Sequence, residues 1–355
     1  MSTLEEALAT RHRLSHYHVY HEEENVCITP YLDLKKEFGY NKKRHRLQAE
    51  DYASKHRRSD EANSYFVHQP ALFFRDPPRI LYRGSHKRGT PVSLIHSSSF
   101  WREWNIQLGS NLADVIDPRG LVRWEHRSNP DNRTAGDPCA LKGYKVRTWR
   151  VWGESGKTYH RQVNARRKEL REEGLEEKPP EEPARAEDAV QLKWSSPLSK
   201  ARRYHFEYAG ITFSWEGTRD LPASETWSRR LMPLNHLKLT AQVPGKEKVF
   251  LGLYVSNIAS KKFGELSIFD SALSKLLHDS GNPSLAAHSV PVEKGVEFEE
   301  ESDTRTTRVY ELVISTAMCM IIGEWEKRMT IWIILMAVAQ AGNNANIAFN
   351  GGGGS

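Results

Sequence analysis

Leu312-Val-Ile-Ser-Thr-Ala-Met-Cys-Met-Ile-Ile-Gly323 decides the fold of this chain; it follows Arg308-Val-Tyr-Glu311 and stops at the charged Glu324-Trp-Glu-Lys-Arg328. As a helix the run is apolar on every face. Spanning membrane hydrocarbon takes about 20 apolar residues, and these twelve are too few. A helix without a polar face is normally enclosed by protein. The stretch is therefore predicted to be a core helix over residues 309–323.

The residues before it read as the sheet that wraps it. Short apolar runs broken by Pro and Gly, namely Ala71-Leu-Phe-Phe74, Ile80-Leu-Tyr82, Val92-Ser-Leu-Ile-His96, Phe100 to Leu108, Leu112 to Ile116 and Leu121-Val-Arg-Trp124, carry the signature of antiparallel strands. Asp117-Pro-Arg-Gly120 fits a type I turn, with Pro at its second position and Gly at its fourth. Lys145-Val-Arg-Thr-Trp-Arg-Val-Trp152 alternates apolar and basic residues, and Gly153-Glu-Ser-Gly156 is read as the turn of a hairpin returning through Thr158 to Val163. Tyr204 to Tyr208, Ile211 to Trp215, Leu237 to Val243, Val249 to Val255 and Gly264 to Asp270 continue the pattern. The expected fold class is mainly β (α+β).

Other segments lack that periodicity. Residues 1–64 hold scattered aromatics, His residues and a basic cluster, and are expected to form a peripheral, partly disordered arm. Residues 165–193 form a charged insertion with Pro179, Pro180 and Pro183, helical at its start. An acidic loop is expected over 280–307, and the Asn- and Gly-rich tail, Asn343 to Ser355, is expected to be unstructured.

The net charge of +6 on 355 residues is concentrated. Between Lys35 and Arg58 stand nine Lys or Arg against three Asp or Glu, so that this segment accounts for the whole surplus. A basic arm on a neutral body is either solvated or in contact with an anionic partner, such as phospholipid, nucleic acid or an import receptor that reads Lys42, Lys43, Arg44 and Arg46. Cys27, Cys139 and Cys319 lack metal-ligand spacing, and the acidic start of the chain has no signal-peptide character, which predicts a cytoplasmic or nuclear protein. The sequon Asn132-Arg-Thr134 is then expected to carry no glycan.

Three blocks together resemble a known family: Ser99 to Gln107 with Ala113 to Glu125, Leu237-Lys-Leu239 with Leu253 to Asp270, and Cys319 to Arg328. They are similar to fungal proteins with a tubby C-terminal-like domain, related in architecture to tubby, LURP-one-related proteins and phospholipid scramblases. The resemblance covers residues 65–330 without the charged insertion. It implies a closed antiparallel β-barrel enclosing a hydrophobic C-terminal helix. Ile331-Trp-Ile-Ile-Leu-Met-Ala-Val338 departs from the family pattern, which has no second apolar run there.

No enzyme signature is present: neither Gly-x-Ser-x-Gly nor an assisted Cys occurs, so a non-enzymatic protein without a cofactor is expected. In Gly153-Glu-Ser-Gly-Lys-Thr158, Val151 stands where a phosphate-binding loop needs its first Gly. His16, His18 and His21 with Glu22 are read as a solvated His-rich arm, with no metal. The candidate ligand surface is cationic: Lys145, Arg147 and Arg150, beside Trp149 and Trp152, with Lys238, Lys261 and Lys262 from the second half. The family resemblance implies a phosphoinositide headgroup site built from such strand cations.

The expected function is thus a binding module for anionic phospholipids or a protein partner, peripheral to membranes. A scramblase-like membrane protein and a nuclear, nucleic-acid-associated regulator are the alternatives. No transmembrane span is expected. Joining the two apolar runs would draw Glu324, Glu326, Lys327 and Arg328 into hydrocarbon, at about 2.5–3.5 kcal/mol for each charge. Ile331 to Ala339 is expected either to pack on the barrel or to stay exposed for a partner or a membrane surface.

Overall fold

The computed structural model describes residues 14–33, 36, 63–70, 77–98, 102–126, 137–146, 153–175, 184–195, 203–218, 236–256, 262–280 and 304–350. Twelve antiparallel strands close into a barrel: β1 Leu14–Glu22, β2 Asn25–Thr29, β3 Tyr65–His68, β4 Arg79–Arg83, β5 Thr90–Ser97, β6 Glu103–Leu108, β7 Asp188–Ser195, β8 Arg203–Tyr208, β9 Ile211–Thr218, β10 His236–Gln242, β11 Val249–Ser256 and β12 Lys262–Phe269. Each strand pairs with its sequence neighbours, and β1 with β12 completes the circle, in the register Tyr17 to Leu266 and His18 to Glu265. Closure leaves no free sheet edge to template aggregation.

Strand alternation directs one face of each strand inward. Tyr17 and Val19 of β1, Trp104 and Ile106 of β6, Phe213 and Trp215 of β9 and Leu237 and Leu239 of β10 are buried in one interior cluster. That interior is filled by α4, Arg308–Asn350, whose Val309 to Ile322 are buried on all sides, Thr316 and Met318 completely. A helix apolar all round needs such a sheath, and each large side chain enclosed is worth about 1.5–3 kcal/mol. The polar groups inside are paired. The Tyr17 and Tyr310 hydroxyls lie 2.8 Å apart, Ser93 Oγ lies 2.8 Å from Ser315 Oγ, and Trp215 Nε1 donates to Thr316 Oγ1 at 3.2 Å. The expected closed barrel around a hydrophobic C-terminal helix is what the chain forms.

A smaller cluster lies on the outer face of β3 to β5. Phe66, Ile80, Tyr82 and Leu94 bury the insertion that runs from β6 to β7 through Leu112, Val115, Val122 and Leu141. Asp117 to Gly120 is the expected turn: Gly120 N–H donates to Asp117 O at 2.8 Å, and its positive φ of 79° suits glycine. A Cβ there would also fall 2.6 Å from His68 Cδ2.

Several expectations are corrected. The barrel begins at Leu14, inside the segment read as a peripheral arm, because β1 and β2 supply the closing strands. Leu112 to Val115 is one helical turn, α1, with Leu112 and Val115 sharing the buried face three residues apart. Leu121 to Trp124 forms isolated bridges and a 3-10 turn, not a barrel strand. The supposed hairpin turn at Gly153 opens a helix, α2 Gly153–Glu172, whose Arg, Lys, Glu and Gln are good helix formers. The end of the charged insertion is strand β7, whose Val190 and Leu192 alternate inward opposite Ile106 and Trp104. Asp270–Ser280 is a helix, α3. The Asn-rich segment read as unstructured prolongs α4 to Asn350. The segment Ala71 to Phe74 and the sequon at Asn132 lie outside the described residues, as do residues 281–303 of the segment 280–307 read as an acidic loop, of which Ser280 ends α3 and Thr304–Thr306 form a 3-10 turn.

Candidate functional site

The axial helix does not stop where the barrel does. Residues 329–340 continue it without a break and are all exposed. Ile331, Trp332, Ile333, Ile334, Leu335, Met336 and Val338 are between 43% and 65% accessible. Nine consecutive apolar residues, Ile331 to Ala339, cover every side of the helix. At 1.5 Å per residue the twelve exposed residues reach about 18 Å. Exposed apolar surface of this extent marks an interaction site.

A polar collar fixes the helix where it leaves the barrel. Arg79 of β4 donates to the Glu326 carboxylate, and the Tyr204 hydroxyl of β8 donates to Glu324. Lys327 Nζ donates to Glu324 Oε1 and to the Tyr204 hydroxyl, both at 3.2 Å, and lies 4.1 Å from the centre of the Trp194 ring. Across the same rim, at β1 and β12, Trp325 packs on His21 and Phe263, at centroid distances of 5.0 and 5.8 Å. The charges at 324–327 are therefore a fitting between helix and rim. Sequence reading saw them only as a stop signal, because their partners come from β4, β7 and β8.

The three predicted cations among the described residues do not assemble into one surface. Lys145 is exposed, with its Nζ 4.6 Å from the centre of the Trp124 ring, beside the insertion on β3 to β5. Lys238 lies on β10, in register with Glu216 of β9, on the far side of the barrel order. Lys262 is 3% accessible: its Nζ donates to Glu265 Oε1 at 2.8 Å and sits 5.8 Å from the centre of the Tyr20 ring. Arg147, Arg150 and Lys261 lie outside the described residues, as do Lys42, Lys43, Arg44 and Arg46.

The histidines of the supposed arm occupy the outer face of β1. His16 and His18 point away from the interior, opposite Ser267 and Glu265 of β12. His16 Nε2 is 3.7 Å from Glu265 Oε2, and His18 Nδ1 is 3.5 Å from Glu265 Oε1. Contact with His18, then Lys262 and His16, holds the Glu265 carboxyl down at about 2, although burial opposes this. Burial, then the neighbouring His18, lowers the His16 imidazole from its ordinary value. His21, two residues on, turns instead towards the rim at Trp325.

Among the described residues no helix is long and apolar enough to cross a membrane, a statement that does not extend to strands. No family model, no curated protein and no solved structure matches the chain.

Proposed function

We propose that this chain is a non-enzymatic membrane-docking barrel of the tubby-like kind, and that the exposed end of its axial helix enters the lipid. The single observation that carries this is the all-round apolar surface of residues 329–340 beyond a closed barrel. A protein groove covers one side of a helix and leaves the rest wet, whereas lipid chains cover all sides, as the barrel does for Val309 to Ile322. Met329 to Ser355 contain no Asp, Glu, Lys, Arg or His, so no ionised side chain opposes the transfer. The reach of about 18 Å compares with half of a hydrocarbon core of about 30 Å. Trp325 and Trp332 flank the point of entry, as amphipathic rings do at membrane–water interfaces. A twelve-stranded barrel around a C-terminal helix supports the family reading.

In this reading the attraction lies in hydrocarbon more than in headgroup charge, since Lys145, Lys238 and Lys262 stand on separate parts of the barrel. Flotation with neutral phosphatidylcholine vesicles tests it. The full chain is expected to float with the vesicles at both low and high salt, because apolar insertion is not screened. A chain ending at Arg328 is expected to remain at the bottom while keeping a cooperative melt. Failure of the full chain to float with neutral and anionic vesicles alike overturns the reading. A concentration-dependent dimer without flotation assigns the helix to a second copy of the chain.

A further inference from the structure

We infer that His16, His18 and Glu265 form a divalent transition-metal site on the outside of the barrel, across the seam where its first and last strands meet. One ligand atom from each residue lies within 4.8 Å of the other two. Around an ion with ligands at about 2.1 Å, tetrahedral donors stand about 3.4 Å apart. The separation of 3.7 Å from His16 Nε2 to Glu265 Oε2 is already close to that, and His18 Nδ1 lies 3.5 Å from the other carboxylate oxygen, Oε1.

Two details favour a metal over a plain ion pair. His18 is buried, and its Nδ1, 3.5 Å from the Glu265 carboxylate, makes no hydrogen bond of normal geometry among the described residues, so this nitrogen is held at the carboxylate without being saturated by it. His16 Nδ1 lies 3.0 Å from Ser267 Oγ, which leaves Nε2 as the ligating atom and fixes the ring. Ligating histidines are commonly oriented by such a second hydrogen bond. Lys262 holds Glu265 Oε1, so Oε2, which faces His16, is the oxygen offered. Two imidazoles and one carboxylate are a ligand set that suits Zn²⁺ and leaves a position for water.

The two ends of the site are about 250 residues apart in sequence and meet only when β1 pairs with β12. Binding is therefore confined to the closed barrel, and the metal stabilises the closed form by mass action. This inference does not depend on the membrane reading.

The test uses the full chain and Zn²⁺ alone. Calorimetric titration is expected to show one ion per chain, and His16→Ala and Glu265→Gln are each expected to weaken binding at least tenfold. Saturating Zn²⁺ should raise the melting temperature of the parent chain, reversibly with EDTA, and leave that of His16→Ala unmoved. His16 is partly exposed, so His16→Gln provides a second variant that keeps the fold if Glu265→Gln does not. Absence of saturable binding overturns the proposal, and so does binding of equal strength in the His16 variants, because a different histidine would then be the ligand.

Discussion

Gly323 of the axial helix faces the indole of Trp104 so closely that a methyl group at position 323 would fall 2.7 Å from Trp104 Cζ2. Trp104 is itself 1% accessible and packs edge-on against Tyr204, so it has nowhere to go. Overpacking of this kind costs typically 1–3 kcal/mol. Gly323→Leu is therefore expected to lower the melting temperature by about 2–4 °C for each kcal/mol. Gly323→Ala gains about 1 kcal/mol of helix propensity against its clash. In a Trp104→Phe background, where the clashing atoms are gone, the same Gly323→Ala change should turn stabilising. Additive effects of the two substitutions would show that the contact is not limiting.

The Thr316 hydroxyl donates to Val313 O at 3.0 Å and accepts from Trp215 Nε1. Thr316→Val keeps the shape and removes the acceptor, leaving a fully buried indole N–H unsatisfied. The expected cost is about 1–3 kcal/mol. It should appear in urea unfolding as a lower midpoint with an unchanged slope. An unmoved midpoint would mean that the indole finds another partner.

A chain starting at Tyr65 keeps everything the sequence assigned to the barrel but lacks β1 and β2. It exposes the edges of β3 and β12 and removes Tyr17, Val19, Val26 and Ile28 from the interior. Such a chain is expected to aggregate, or to melt without cooperativity, by differential scanning calorimetry. A soluble, cooperatively melting product would show that closure is dispensable.

Glu265 gives the fold a dependence on acid. Its folded value of about 2 lies below the ordinary 4.5, so its contribution is complete above about 4.5 and is lost as the pH falls through about 2. In EDTA, the stability difference between the parent chain and Glu265→Gln should shrink steadily across that window. The groups facing it are His16 and His18 from β1 and Lys262 from β12. A difference that stays constant with pH would show that the carboxylate is not ionised in this contact.

Much of the barrel was legible because its strands alternate clearly or carry turn chemistry at their ends. β1 was not: its inward face is Tyr17, Val19 and His21 and its outward face His16, His18 and Tyr20, so aromatic rings fall on both sides and the two-residue period is blurred. β7 was hidden by the Glu, Lys and Pro run before it, although Val190 and Leu192 do alternate with Gln191 and Lys193. The axial helix was the clearest signal, since apolarity on every side has few uses. Its exposed continuation was readable as an anomaly but not as part of the same helix. The His pair was visible at alternate positions, but Glu265 was not, because its place beside them is set by the register of the closing strands.

The plug follows every barrel strand in the chain, and this order sets a timetable for synthesis. The last barrel strand ends at Phe269, and the helix that fills the barrel begins only at Arg308. At translation rates of about 5–20 residues per second, roughly 2–8 s separate them. During that interval Tyr17, Trp104, Phe213 and Leu239 have no helix to pack against. The nascent sheet is then a vessel without its contents, to be shielded or held open until the helix has emerged.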